Sequence, residues 1–129
     1  MTQEEKLLLL KDLCSRLPYG VKVITSVGGE IRNDKEQLNF AQLSLFEAGH
    51  EEVKPYLFPL SSMIEEQKYN NPIGLSQMLT ILANRDWECI TIKHRDLQKL
   101  IDWYNKNHFD YRGLIPMGLA KDATGLNIY

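Results

Sequence analysis

The sequence predicts an α+β fold in which a small antiparallel sheet packs against three to four helices. Leucines recur at helical spacing near the start of the chain, and β-branched residues crowd a segment that ends at a Gly-Gly pair. A second amphipathic helical pattern lies near the other end. Because helices and strands do not alternate in a βαβ rhythm, a parallel sheet is not favoured. The length of 129 residues fits one domain, so we expect residues 1–129 to form a single globular unit with one pair of layers.

Composition and charge narrow the classes of partner. The chain is 43% hydrophobic and 25% charged, which is ordinary for a globular protein. Its formal charge of -2 provides no overall field that would attract nucleic acid or an anionic membrane. The longest aliphatic run, Leu7–Leu10, is far shorter than the ~20 residues of a membrane span. Since the opening MTQEEK also lacks the features of a signal peptide, we expect a cytoplasmic protein without a membrane partner.

The first predicted element is a helix that begins at Thr2. Thr2 and Glu5 have the spacing of a capping box, in which each side chain satisfies the other residue's free amide. Pro18 and Gly20 predict its end. The expected buried stripe contains Leu7, Leu10, Cys14 and Leu17, widened by Leu8, Leu9 and Leu13.

Strands are predicted after this helix. Val21–Val27 is rich in β-branched residues, and Gly28-Gly29 predicts a hairpin turn from which Glu30–Arg32 returns. A further extended segment is expected over Leu38–Leu45.

Prolines and caps organise the middle of the chain. Pro55 and Pro59 predict an edge strand or a loop rather than a central strand. The patterns that follow predict a short helix capped by Ser62 and Glu65, an amphipathic helix after Asn71-Pro72 and a strand at Trp87–Lys93. The clearest late helix is predicted from about His94 to Asn107. Its apolar stripe contains Leu97, Leu100, Ile101 and Tyr104. The chain after Phe109 is predicted to be loop.

Metal and cofactor sites are not favoured. His94 and His108 share a helix face but would lie about 21 Å apart, too far to bind one ion. His50 lacks the second histidine of a zinc-protease motif. The two cysteines, Cys14 and Cys89, are expected to be reduced and buried. We therefore predict that the protein binds neither a cofactor nor a metal ion, and we assign no catalytic residue.

The segment from Trp103 to Arg112 is the main candidate for a ligand or interaction site. Its candidate residues are Trp103, Tyr104, His108, Asp110, Tyr111 and Arg112. An acid-base or anion-binding cluster is one interpretation. The alternative is structural: Phe109 and Tyr111 point inward while the charged residues between and beside them face water or pair. In that interpretation a cationic His108 is favourable at the helix C-terminus, and Arg112 satisfies the last carbonyls there.

One face of the late helix is basic. Arg95, Lys99 and Lys106 share it with Asp102, and the aromatic Trp103 and Tyr104 lie close by. A basic helix with neighbouring aromatics can approach a nucleic-acid backbone. A solvated helix face explains the same pattern, so both interpretations stay open.

Three blocks of sequence resemble a known family. They are LLLLKDLCSRLPYGV (Leu7–Val21), VKPYLFPLSSM (Val53–Met63) and IDWYNKNHFDYRGLIPMGLA (Ile101–Ala120). These blocks are similar to those of a family of small uncharacterised proteins of gut Bacteroidetes that are often associated with phages or other mobile elements. The resemblance implies no activity, catalytic residue or cofactor, but it implies an accessory role in a mobile element.

The sequence thus leads to three functional hypotheses. The first is a non-enzymatic protein-interaction factor of a phage or mobile element. The second is a nucleic-acid-binding module that uses the basic face of the helix near 94–107. The third is a small enzyme or ligand binder built around residues 108–112.

Overall fold

The computed structural model describes residues 1–63 and 94–129, and within 94–97 it describes the backbone only. The predictions for Glu65, for the helix after Asn71, for the strand Trp87–Lys93 and for Cys89 lie outside these residues. The α+β prediction is confirmed, because the described residues form three helices and a four-stranded sheet. The helices are α1 (Gln3–Arg16), α2 (Phe40–Glu47) and α3 (His94–Lys106), and the strands are β1 (Lys22–Val27), β2 (Glu30–Gln37), β3 (Glu52–Leu57) and β4 (Lys121–Asp122).

The sheet is mixed rather than wholly antiparallel. Its strand order is β2-β1-β3-β4, and β1 pairs antiparallel with both β2 and β3. β4 runs parallel to β3, with Lys121 opposite Tyr56. The expected antiparallel arrangement is therefore wrong for this one strand, which is two residues long and lies in a segment that the sequence predicted to be loop.

Helix α1 presents a different face to the core from the one predicted. The cap at Thr2 is present, since its side chain accepts a hydrogen bond from the Glu5 amide at 3.1 Å. Within the helix the buried residues are Leu9, Asp12, Leu13 and Arg16. The prediction of a buried Cys14 is wrong, because Cys14 is exposed. Four consecutive leucines are compatible with several apolar stripes. The stripe that faces the core also contains the charged residues Asp12 and Arg16, so apolar spacing alone did not identify it.

The hairpin forms where the glycines predict it, but its second strand is longer. Gly28 and Gly29 have φ values of 59° and 85°, as a type I′ turn requires at both central positions. β2 continues to Gln37, although nearly all of its side chains are exposed. Its pairing with β1 is interrupted by two register shifts. Backbone pairing with β1, rather than side-chain burial, therefore defines this strand.

The expected extended segment at Leu38–Leu45 is wrong, because α2 forms there instead. The Asn39 side chain accepts from the Gln42 amide at 2.8 Å, and the Gln42 side chain accepts from the Asn39 amide at 3.1 Å. This reciprocal capping box stabilises the first helical turn. Leu43 and Phe46, three residues apart, then share the buried face.

β3 is an interior strand, despite the prediction of an edge or a loop. It pairs with β1 on one side and with β4 on the other. Pro55 lies opposite Val23 in the first pair, whereas β4 pairs only from Tyr56 onward. A proline is tolerated here because the second ladder begins after it.

The main core lies between one face of the sheet and helices α1 and α2. Alternate residues of β1 and β3 point into it, as a strand's two-residue period requires. The buried residues of this core include Leu9, Leu13, Val21, Val23, Leu43, Phe46, Val53, Leu57 and Leu114. A second, smaller cluster packs α3 against the chain that follows β3, through Met63, Leu100, Tyr104 and Phe109. The candidate site lies where these two clusters meet.

Candidate functional site

Helix α3 ends in a Schellman motif that places His108 where glycine is usual. The amide of Phe109 donates to the Tyr104 carbonyl at 2.9 Å, and the amide of His108 donates to the Asn105 carbonyl at 3.3 Å. His108 has a φ of 63°, in the left-handed region, where a side chain costs about 1–2 kcal/mol. The sequence did not reveal this motif, because it is normally recognised by its glycine.

The imidazole of His108 is buried and neutral. It is 9% exposed and stacks on the ring of Tyr129, with 3.7 Å between the ring centroids. Burial, assisted by the positive charge of Arg16, lowers the pKa of His108 to about 4. The prediction of a cationic His108 at the helix end is therefore wrong. The Tyr129 hydroxyl in turn accepts from the Lys22 amide at 2.7 Å and donates to the Tyr56 carbonyl at 2.8 Å, which fixes the stacked pair to β1 and β3.

The chain around His108 extends the sheet. The Phe58 amide donates to the His108 carbonyl, and the Asp110 amide donates to the Phe58 carbonyl, both at 2.8 Å. Phe58 and Phe109 thus form a parallel bridge directly after β3. Asp110 is also buried, at 6% exposure, and its carboxylate accepts from the amides of Leu114 and Ile115 at 2.8 and 2.9 Å. The expected inward-outward alternation is wrong here, since Phe109 and Asp110 are both buried.

We expect Asp110→Ala to lower the free energy of unfolding by about 2 kcal/mol, because it leaves the two amides that the carboxylate satisfies without their acceptor. Urea unfolding of the purified variant measures this change. Asp102→Ala is the control, since Asp102 is exposed on α3 and bonds only to the side chain of Gln98 among the described residues. Equal losses in the two variants would contradict the role given to Asp110.

A buried ion pair that the sequence did not reveal lies behind this segment. Asp12 and Arg16 are both 0% exposed, and Arg16 Nε donates to Asp12 Oδ2 at 2.9 Å. Arg16 Nη2 also donates to the Phe109 carbonyl at 2.6 Å, so it joins α1 to the end of α3. In the sequence this ion pair is visible only as opposite charges at i and i+4 in a leucine-rich helix. That spacing more often indicates a solvent-exposed ion pair.

Arg112 belongs to the same buried network and not to the helix end. Its Nη1 lies 3.6 Å from Asp12 Oδ1, and the Tyr111 ring lies 5.3 Å from the Arg16 guanidinium and 4.9 Å from that of Arg112. Burial raises the pKa of Asp12, and the two arginines oppose that shift. The prediction that Arg112 satisfies the carbonyls of α3 is wrong, because backbone amides fill the Schellman motif.

Several buried atoms of this network have no hydrogen-bond partner in the part of the chain that the structure describes. They are Asp12 Oδ1, Arg16 Nη1, Asn105 Oδ1, His108 Nδ1, Tyr111 OH and Arg112 Nη1. Two of them, Asp12 Oδ1 and Arg112 Nη1, are the atoms of the 3.6 Å ion pair, so a small side-chain shift would join them. Arg16 and Asp12 nevertheless join α1 to the 108–112 segment, through the Phe109 carbonyl and Arg112 respectively.

The late aromatic residues pack inward. Tyr104 is 9% exposed and stacks on Tyr111, while Trp103 is half-buried and stacks on Phe109. Burial raises the pKa of both tyrosines. These rings line the second hydrophobic cluster, so they do not form an exposed apolar patch on which a partner could dock.

A cleft of about 460 Å³ opens beside His108. The end of α3 supplies Lys106 and Asn107, the chain after β3 supplies Phe58 and Ser62, and Tyr129 completes the wall. Of the sequence-predicted ligand residues, His108 lines this cleft, whereas Asp110, Tyr111 and Arg112 turn toward the buried network. The structure thus separates residues that the sequence grouped.

The predicted basic face is only partly described. Lys99 and Lys106 are exposed on α3, with Asp102 between them, and Asp102 Oδ1 accepts from the Gln98 side chain at 3.1 Å. The side chain of Arg95 lies outside the described residues. Among the described side chains of this face, the two lysines and the aspartate leave a net charge of one.

The outer surface of α2 is apolar, which the sequence analysis did not anticipate. Phe40 is 74% exposed and Leu45 is 42% exposed, while Leu43 and Phe46 reach the core. Ala41 and Ser44 are also exposed. We call Phe40, Ala41, Ser44 and Leu45 the outer face of α2.

Comparison with protein-family models, with curated proteins and with solved structures found no match for this chain. Among residues 1–63 and 94–129, no group of three or more histidine, cysteine, aspartate or glutamate side chains is placed to hold a metal ion. Within the same ranges, no helix has the length and apolar character needed to cross a membrane. Functional proposals for this chain therefore depend on its own residues.

Proposed function

We propose that this protein acts by binding another protein through the outer face of α2. The single observation that carries the proposal is the 74% exposure of Phe40 on a helix that is apolar on both sides. Aromatic residues are enriched in protein interfaces and are costly to leave in water. The aromatic residues of the 103–112 segment do not serve this purpose, since they are packed inside.

The chemistry of the partner follows from what surrounds this face. Glu47 is exposed on α2 itself, and the chain as a whole carries a formal charge of -2. A partner segment with apolar side chains flanked by lysine or arginine would match both features. The cytoplasmic location and the role as an accessory factor of a phage or mobile element are also part of the proposal. They rest on the sequence and on its three resembling blocks alone.

Site-specific photo-crosslinking in host cells tests this proposal. Phe40 is replaced by p-benzoylphenylalanine in the full chain, and Ile31, which is 62% exposed in the hairpin, carries the same group in a matched control. We expect one discrete adduct with a different protein from position 40 and none from position 31. Leu45→Glu in the position-40 protein should abolish the adduct, because it places a charge in the apolar contact.

Three results would overturn the proposal. An adduct of twice the chain's mass would assign the face to a second copy of this chain. A nucleic-acid adduct would assign the outer face of α2 to nucleic acid instead of protein. Equal crosslinking from positions 31 and 40, or none from either, would show that the outer face of α2 does not select a partner.

A further inference from the structure

The cleft beside His108 has the size of a small-molecule site. Its volume of about 460 Å³ falls within the ~300–1,000 Å³ that is typical of ligand pockets. Aromatic rings of Phe58, Phe109 and Tyr129 line it together with polar side chains. A cleft with both apolar and polar walls can bind the body of a ligand and orient its polar group.

Lys106 gives the described part of the cleft lining a cationic side chain. Lys106 is the only charged side chain among the described residues that line it. The other polar groups are the hydroxyls of Ser62 and Thr124, the amide of Asn107 and the imidazole of His108. With a pKa lowered to about 4, that imidazole is uncharged at neutral pH. Asp122 lies outside this lining and is exposed, and its carboxylate accepts from the Thr124 amide at 2.8 Å.

The charge of Lys106 is not used elsewhere in the described structure. A lysine in the last turn of a helix often compensates unsatisfied carbonyls. Here the Trp103 carbonyl already accepts from Asn107, and the Tyr104 and Asn105 carbonyls accept from the two amides of the Schellman motif. Asp102, one turn earlier, makes no ion pair with Lys106 and accepts from Gln98 instead.

The backbone at His108 supports a role for its side chain. Glycine would satisfy the left-handed conformation without strain, yet an imidazole occupies the position and is fixed against Tyr129. Its Nδ1 is buried without a hydrogen-bond partner in the described part of the chain. A strained residue that lines a cleft is a recognised feature of binding sites.

We propose that this cleft binds a small organic anion, a carboxylate or a phosphate with an aromatic or apolar body. Lys106 contacts the charged group, the uncharged polar side chains accept or donate hydrogen bonds beside it, and the rings of Phe58 and Tyr129 contact the body of the ligand. This inference is independent of the protein-binding proposal, since the cleft and the outer face of α2 share no residue.

Amide-detected NMR titration of the full chain tests the proposal with three probes. Benzoate and phenyl phosphate represent the two kinds of anion, and benzamide is their neutral counterpart. We expect saturable shifts at Asn107, Thr124 and Gly125 with the anions, and at least fivefold weaker binding of benzamide. Lys106→Gln should weaken anion binding about fivefold to tenfold, because it removes one charge-assisted contact.

Lys99→Gln is the matched control, since Lys99 is exposed on the same helix but does not line the cleft. It should leave anion binding within twofold of the unsubstituted protein. The proposal fails if neither anion gives saturable shifts, if benzamide binds as well as the anions, or if Lys99→Gln and Lys106→Gln weaken binding equally. Preference for benzoate or for phenyl phosphate would identify the charged group that the site accepts.

Discussion

Replacing Asp12 by alanine should lower the free energy of unfolding by about 3–5 kcal/mol, the largest loss that we expect from a single substitution in this protein. Asp12 and Arg16 are both fully buried, so the variant leaves a guanidinium charge in the interior with the Phe109 carbonyl as its one acceptor among residues 1–63 and 94–129. Arg112 loses its 3.6 Å partner at the same time. Urea unfolding at neutral pH measures the loss.

The control is Lys11→Ala, because Lys11 is exposed on the same helix. Its effect should stay within about 0.5 kcal/mol.

A second variant separates the effect of charge from the effect of packing. Asp12→Leu combined with Arg16→Met removes both charges while it keeps apolar volume. Buried ion pairs replaced together often lose little stability. We therefore expect the double variant to be more stable than Asp12→Ala, and a loss below about 1 kcal/mol in Asp12→Ala itself would contradict the network.

This network shows where prediction from sequence reached its limit. The fold class, α1, the hairpin and α3 were predicted because each depends on local spacing: capping residues, glycines at positive φ and a helical apolar stripe. The partners of Arg16 and Asp110 depend instead on tertiary contacts. Arg16 reaches a carbonyl 93 residues away, and no local pattern predicts that bond.

One local signal was present in the sequence but was outweighed by another. The capping box of Asn39 and Gln42 predicts the start of α2, yet the alternation of Leu38 and Phe40 favoured a strand. For the candidate site, the sequence grouped residues of one segment whose side chains the structure sends in different directions. His108 lines the cleft, while the Asp110 carboxylate accepts from two backbone amides and Arg112 Nη1 lies 3.6 Å from Asp12 Oδ1. The orientation of these three side chains follows from the Schellman motif, in which the chain turns at His108 because that residue has a left-handed backbone conformation.

Acidification should destabilise the protein through His108, by up to about 3 kcal/mol. The pKa of His108 is about 4 in the folded protein, whereas a histidine in an unfolded chain has its ordinary pKa of 6.5. The unfolded state therefore binds the proton first as the pH falls. The stabilisation is fully present above about pH 6.5 and is lost as the pH falls through about 4. Urea unfolding at several pH values between these limits measures it.

The comparison that isolates this effect uses His108→Asn, since asparagine tolerates the left-handed backbone at this position and does not titrate. Other groups also titrate as the pH falls. Burial raises the pKa of Asp12, and the effect of Asp12 on stability in acid is therefore opposite to that of His108. The pKa of Asp34 is lowered by its hydrogen bond with Tyr56. These contributions are common to both proteins, so they cancel in the difference. We expect the stability of the unsubstituted protein to fall more steeply with acid than that of His108→Asn. Parallel profiles would show that His108 is not held neutral by its burial and by Arg16.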